Sequence, residues 1–168
     1  MTGRETIPPV VEMTDLRIEA KSNDQWSKIV NGVSLVIRPG EVLGLVGESG
    51  AGKSTIGLAA LGYLRPGARA TGGTVRLLDQ DLLAIPEEER RPFRGTRVAY
   101  VAQSAQAAFN PVHRVMDQIV MVAVERGGMT RAEAEGRAVD LFRALQLPEP
   151  ETFGRRFPHQ VSGGQLQR

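Results

Sequence analysis

The stretch Gly47-Glu48-Ser49-Gly50-Ala51-Gly52-Lys53-Ser54-Thr55 constrains this chain more than any other. It fits the pattern G-x-x-x-x-G-K-[ST] and follows the apolar run Val42-Leu43-Gly44-Leu45-Val46. A strand that feeds a glycine loop and opens a helix is the context in which this pattern cradles phosphate. Glycine lets the backbone curl so that successive N–H groups point at phosphate oxygens. The helix that follows adds its positive N-terminal end. Lys53 can reach the β- and γ-phosphates, and the Ser54 hydroxyl suits Mg²⁺. The backbone of Gly47 to Thr55, Glu48, Ser49, Gly50, Ala51 and Gly52 included, is therefore a candidate triphosphate site. A glycine turn with an incidental lysine is the plainer alternative, and the strand before the loop weighs against it.

Composition narrows the remaining classes. With 168 residues the chain can bury the core of one domain. Lysine and arginine number 21 against 19 acids, so net charge points neither toward nor away from nucleic acid. There is no cysteine, which removes disulfides, thiolate metal sites and cysteine nucleophiles. The longest apolar run, Ile119 to Val124, is far too short to span a bilayer. Met1 to Glu5 lacks the apolar centre of a signal peptide. Membrane association would then come through a partner.

Along the chain, Val10 to Ile18 and Gly32 to Ile37 read as strands, with a turn at Asn23-Asp24. Arg38-Pro39-Gly40-Glu41 forms a second turn, and a helix is predicted over about Lys53 to Leu61, broken by Arg65-Pro66-Gly67. Gly72-Gly73 opens a strand at Thr74 to Leu78, and Val98-Ala99-Tyr100-Val101 reads as a buried strand. Two helices follow, at about Val115 to Glu125 and from a capping box at Thr130 to Glu133. The second places Ala134, Ala138, Leu141, Phe142 and Leu145 on one face, which predicts core packing. This mixture is α/β.

A second glycine motif stands in Phe157-Pro158-His159-Gln160-Val161-Ser162-Gly163-Gly164-Gln165-Leu166-Gln167-Arg168. Ser162 and Gln165 have the spacing of a capping box, and Gly163 and Gly164 leave backbone N–H groups open to an anion. Alone this is an ordinary helix start. It is not alone, because the phosphate loop, Gln103 after an apolar strand, and Ser-Gly-Gly-Gln occur in one order.

In that order the chain resembles the ATP-binding-cassette (ABC) ATPases over nearly its whole length. Phe109-Asn110-Pro111 and the Pro-His-Gln-Val-Ser-Gly-Gly-Gln run make it most similar to ATP-binding subunits of dipeptide, oligopeptide and nickel importers. The resemblance implies a P-loop fold with an N-terminal antiparallel β part, an α-helical insert and an incomplete parallel sheet. It divides the chain into a β-rich core over about 10–101 and a helical part over about 102–168. ATP and Mg²⁺ are the implied cofactors. Lys53 and Gln103 are the implied catalytic residues, with Ser54 and Gln103 near the metal. Ser162, Gly163, Gly164 and Gln165 would contact the γ-phosphate held by the opposite subunit of a dimer. The stretch Ser104 to Pro111 would face a permease subunit, and a solute-binding protein would act further out. The implied location is the cytoplasmic face of the membrane, without a nucleic-acid partner.

Some positions depart from the family pattern. Val161 replaces the usual leucine, Leu166 replaces a polar residue, and Ala102, Ser104 and Ala105 give Gln103 unfamiliar neighbours. Trp26 is the only tryptophan, and adenine stacking and plain packing are equally open for it. His113 and His159 read as surface or capping residues, and Arg90-Arg91 and Arg155-Arg156 as solvated charges. No apolar strand ending in Asp-Glu is present, so a residue to orient the attacking water is missing and the sequence reads as the front part of a cassette. Such a piece is expected to be poorly stable, with exposed strand edges, and inactive by itself. A non-transport ABC ATPase, or a shortened nucleotide-binding module, are the rival readings.

Overall fold

The structure, a computed structural model, describes residues 7–168. The reading of Met1 to Glu5 lies outside those residues. The chain forms two compact units, one up to Ala99 and one from Tyr100 to Arg168.

The first unit is built on a sheet of order β2-β1-β3-β4, antiparallel throughout. Strands β1 (Val11–Ser22) and β2 (Gln25–Ile37) are joined by Asn23 and Asp24, with φ of 48° and 60°. Two consecutive left-handed residues match the right-handed twist of a tight hairpin, and asparagine and aspartate tolerate that region. Along β1, Val11, Met13, Leu16 and Ile18 are buried. The step from 13 to 16 breaks the alternation because Asp15 and Leu16 oppose a single residue of β3 (Ala68–Leu77). That residue is Gly73, at φ 82°, where a Cβ would stand 2.4 Å from the carbonyl oxygens of Thr14 and Asp15. Gly72-Gly73 therefore lies inside a strand at a bulge, rather than opening a strand as the sequence predicted.

Helix α1 (Lys53–Ala59) adds Ile56 and Ala59 to this core, together with Val75, Leu77 and Leu82. Each large side chain so buried contributes roughly 1.5–3 kcal/mol. The short strand β4 (Gln80–Asp81) and helix α2 (Glu87–Arg90) close the unit. Arg90 is not simply solvated. It donates to the carbonyls of Ile85 at 2.8 Å and Gly62 at 3.3 Å.

The second unit is helical: α3 (Ala105–Ala108), α4 (Val115–Glu125), α5 (Arg131–Ala144), α6 (Pro150–Phe153) and α7 (Gly163–Gln167). The Thr130 hydroxyl accepts from the Glu133 N–H at 3.3 Å, and the Glu133 carboxylate accepts from the Thr130 N–H at 2.8 Å. Ala134, Ala138 and Phe142 are buried, and Phe142 meets Phe153 edge-on at 5.1 Å between ring centres. Leu141 and Leu145 depart from the predicted core face. They lie at the rim of the stripe and line an apolar groove of 270 Å³ with Ile119, Phe109 and Leu166.

The parallel sheet is the main departure from expectation. Among the described residues neither Val42 to Val46 nor Val98 to Val101 pairs into a strand, apart from a single parallel bridge between Arg94 and Val98. Val42 and Val46 are 98% and 95% exposed, and Val101 is 82% exposed. A run apolar on both faces belongs to the middle of a parallel sheet, and without hydrogen-bonded neighbours it has no ladder to join.

Candidate functional site

The glycine loop ends on a bulge in β2. Pairing runs Ile18 to Val30 and then Glu19 to Lys28, which leaves Ile29 without an opposite residue. Its carbonyl is turned toward Gly52, where a Cβ would approach it to 2.9 Å. Gly52 has φ 82° and occupies the N-cap of α1, so both close approach and backbone sign demand glycine there. No side chain caps this helix and no acid stands in its first turn, so its leading N–H groups keep their capacity for an anion.

Lys53 is folded along the loop. Its Nζ donates to the carbonyls of Gly47 at 2.7 Å and Glu48 at 2.6 Å. An ammonium has three protons, so one remains for a phosphate oxygen. Gly50 has open space around it, and Ser54 is exposed at the start of the helix. The residues therefore fit a triphosphate with its metal: backbone donors, one fixed cation, and a hydroxyl as the hard oxygen ligand that Mg²⁺ prefers.

Trp26 sits elsewhere on the sheet. It pairs with Lys21, and β1 presents Lys21 and Glu19 on the face opposite Ile18 and Ala20. The Arg69 guanidinium lies 3.9 Å from the indole centre and is held by Glu19 at 2.9 Å. On the core face, a 190 Å³ cavity beside α1 is lined by Ala20, Ile29, Thr55 and Leu58, but not by Trp26.

In the second unit Gln103 is exposed, two residues before α3. The predicted cap at Ser162 is present. Its hydroxyl accepts from the Gln165 N–H at 3.3 Å, and the Gln165 side chain accepts from the Ser162 N–H at 3.1 Å. Gly164 faces open space. The structure also brings in residues that carry no local signal of a role. Gln118 accepts from the Asn110 N–H and donates to the Asn110 and His113 carbonyls, tying Phe109 to Arg114 onto α4. Gln167 reaches back to Ala102 and Ala105, on either side of Gln103. His159 stacks on Phe157 at 5.6 Å, a packing role.

These features define an α/β protein with a glycine loop that fits phosphate and a separately capped glycine motif on a helical unit. A family model described as ABC transporter matches residues 30–168, and the chain belongs to that family. It is 36% identical over 161 residues to the oligopeptide transport ATP-binding protein OppD of Mycobacterium tuberculosis, covering 95% of this chain and 26% of that protein. Against OppD of Salmonella typhimurium identity is 34% over 159 residues, 95% of this chain and 47% of the relative. The probable D,D-dipeptide transport ATP-binding protein DdpD of Escherichia coli is 35% identical over 161 residues, 95% and 49% of the two chains. This chain thus spans half or less of these relatives. Among solved structures, the dimeric bacterial ABC transporter cassette MJ0796 superposes with a TM-score of 0.76 at 23% identity, over 93% of this chain and 65% of that one. This likeness bears on fold, and it agrees with the α/β cassette read from the sequence.

Proposed function

We propose that this chain is the ATP-binding part of an ABC importer subunit that drives uptake of peptides or a related solute. The observation that carries the reading is 34–36% identity, over 95% of the chain, to peptide-transport ATP-binding proteins. In this reading the loop amides and Lys53 hold the β- and γ-phosphates, and Ser54 ligates Mg²⁺, which offsets phosphate charge. Gln103 serves the metal and the attacking water. Ser162 to Gln165 completes the site of a second nucleotide-binding domain, in a homo- or heterodimer, so that ATP draws the two domains together by binding the closed pair better than the open one. Trp26 is assigned to packing under Arg69, not to adenine.

The permease would be engaged through Ser104 to Pro111, whose end at Asn110 is held to α4 by Gln118. No helix of the described residues is long and apolar enough to cross a membrane. We place the subunit at the cytoplasmic face, held there by permease partners, because its relatives are peptide-transport ATP-binding proteins. The segment of 168 residues is proposed to bind nucleotide without turning it over, since it holds no Asp-Glu after an apolar strand.

The test is ATP-dependent solute uptake by the full-length protein with its membrane subunits. Lys53→Ala abolishes both uptake and turnover if the reading holds. Nucleotide binding indifferent to Lys53→Ala would refute it.

A further inference from the structure

The glutamine-bearing segment and the Ser162 motif are joined by one side chain. Gln167 lies one helical turn beyond Gly163 and Gly164 on α7. Its amide oxygen accepts from the Ala105 N–H at 3.1 Å, and its amide nitrogen donates to the Ala102 carbonyl at 3.2 Å. Ala102 and Ala105 bracket Gln103 and Ser104, so a single amide staples both ends of that segment. The Ala105 N–H belongs to the first turn of α3 and has no partner within its own helix.

A second contact reinforces the first. The Gln106 amide packs against Gly163, 3.4 Å from where a Cβ would stand. Gln103 itself stays exposed, free to meet a ligand, while the backbone around it is fixed to the helix that begins at Ser162. Glutamine suits the task because it both donates and accepts. Glutamate keeps only the acceptor, and leucine keeps neither.

We propose that Gln167 is a positioning residue that couples Gln103 to the Ser162–Gln165 motif. A displacement of the Gln103 segment by nucleotide moves α7 with it. The open glycine end of α7 then shifts relative to the ATP held by the partner domain, so occupancy of one site of the dimer is felt by the other. This rests on the function proposed above. It adds a particular side chain as the link between the two motifs.

The experiment compares Gln167→Leu and Gln167→Glu with the wild type in the full-length protein, reading MgATP affinity, turnover, its cooperativity in ATP, and melting temperature. Coupling between sites typically amounts to 5–150-fold, so Gln167→Leu is expected to lower saturating turnover about tenfold and bring the Hill coefficient toward one. Affinity at the Lys53 site changes less than about twofold on the same scale, and the melting temperature holds. Gln167→Glu falls between, because one hydrogen bond survives. Wild-type turnover and cooperativity in Gln167→Leu would overturn the proposal. So would losses that track a fall in melting temperature or in affinity. Absence of Lys53-dependent ATP binding in the wild type would instead overturn the underlying function, a result read before any Gln167 variant is made.

Discussion

Replacing Gly52 by alanine tests the geometry of the phosphate loop with one methyl group. The residue has φ 82°, and the new Cβ would lie 2.9 Å from the Ile29 carbonyl and 3.5 Å from side-chain carbons of Ile29 and Val30. Placing an L-residue in the left-handed region costs roughly 1–2 kcal/mol. Pressing it against a backbone oxygen that a bulge holds in place adds about 1 kcal/mol, the lower end of overpacking costs. The empty loop can relax to shed part of this, but phosphate binding restores the curl and with it the strain. At 1.4 kcal/mol per tenfold, the part shed, at most about 2–3 kcal/mol, weakens nucleotide binding by up to roughly 30- to 140-fold.

A matched control lies on the same helix. Gly57 has open space at its Cβ position and no positive φ, so Gly57→Ala stabilises by about 0.5–1 kcal/mol through helix propensity. Fluorescent-nucleotide titration of the full-length protein, with thermal unfolding in parallel, separates the two. The reasoning fails if Gly52→Ala binds within about threefold of the wild type, or if Gly57→Ala is impaired as severely.

Four further outcomes are expected. Thr130→Ala removes the N-cap of α5 and costs about 1 kcal/mol in denaturant unfolding. Hydrogen bonds from the Thr130 hydroxyl and N–H hold the Glu133 carboxyl below its ordinary value. Its contribution is therefore present above the unfolded carboxylate range and is lost as pH falls through the lower folded value; Glu133→Gln removes that pH dependence of amide exchange at the cap. Trp26→Ala leaves ATP affinity within about twofold if the indole only packs under Arg69, whereas loss of a base stack costs about tenfold, readable in the same titration. Ser162→Asp keeps a good N-cap but puts negative charge where the partner's phosphate is proposed to lie, so helix content holds while dimer-dependent turnover falls.

Local signals in the sequence were dependable where one stretch of chain decides the outcome. The Asn23-Asp24 hairpin, the boundaries of α4, and the capping boxes at Thr130 and Ser162 all depend on residues within a turn of one another. Val42 to Val46 and Val98 to Val101 fail for the opposite reason. Their apolar composition reports that they suit a buried strand, but forming one depends on neighbours that the run itself does not name. Gly72-Gly73 misled because a glycine pair signals a strand opening and a bulge alike, and only the register against Asp15 distinguishes them. Gln167 and Gln118 carried no local signal: the Gln167 hydrogen bonds span 62 and 65 residues, and glutamine is common on helix surfaces.

The cap at Ser162 also bears on how one short motif can serve two masters. Its hydroxyl accepts from the Gln165 N–H, and the Gln165 side chain is turned back to the Ser162 N–H. Both side chains are thus committed to starting the helix. The N–H groups of Gly163 and Gly164, in the first turn of the helix, have no acceptor within it, and there is open space beside Gly164. Those donors suit an anion and can engage one without breaking the cap. The same economy holds at the first loop, where Lys53 spends two of its protons on the Gly47 and Glu48 carbonyls and keeps a third. In each motif the side chains fix backbone shape first, and donors are left over for the phosphate proposed to bind there. Substitutions that preserve the shape but alter the leftover donors should therefore impair nucleotide chemistry at little cost in folding, which is the separation that Ser162→Asp is built to expose.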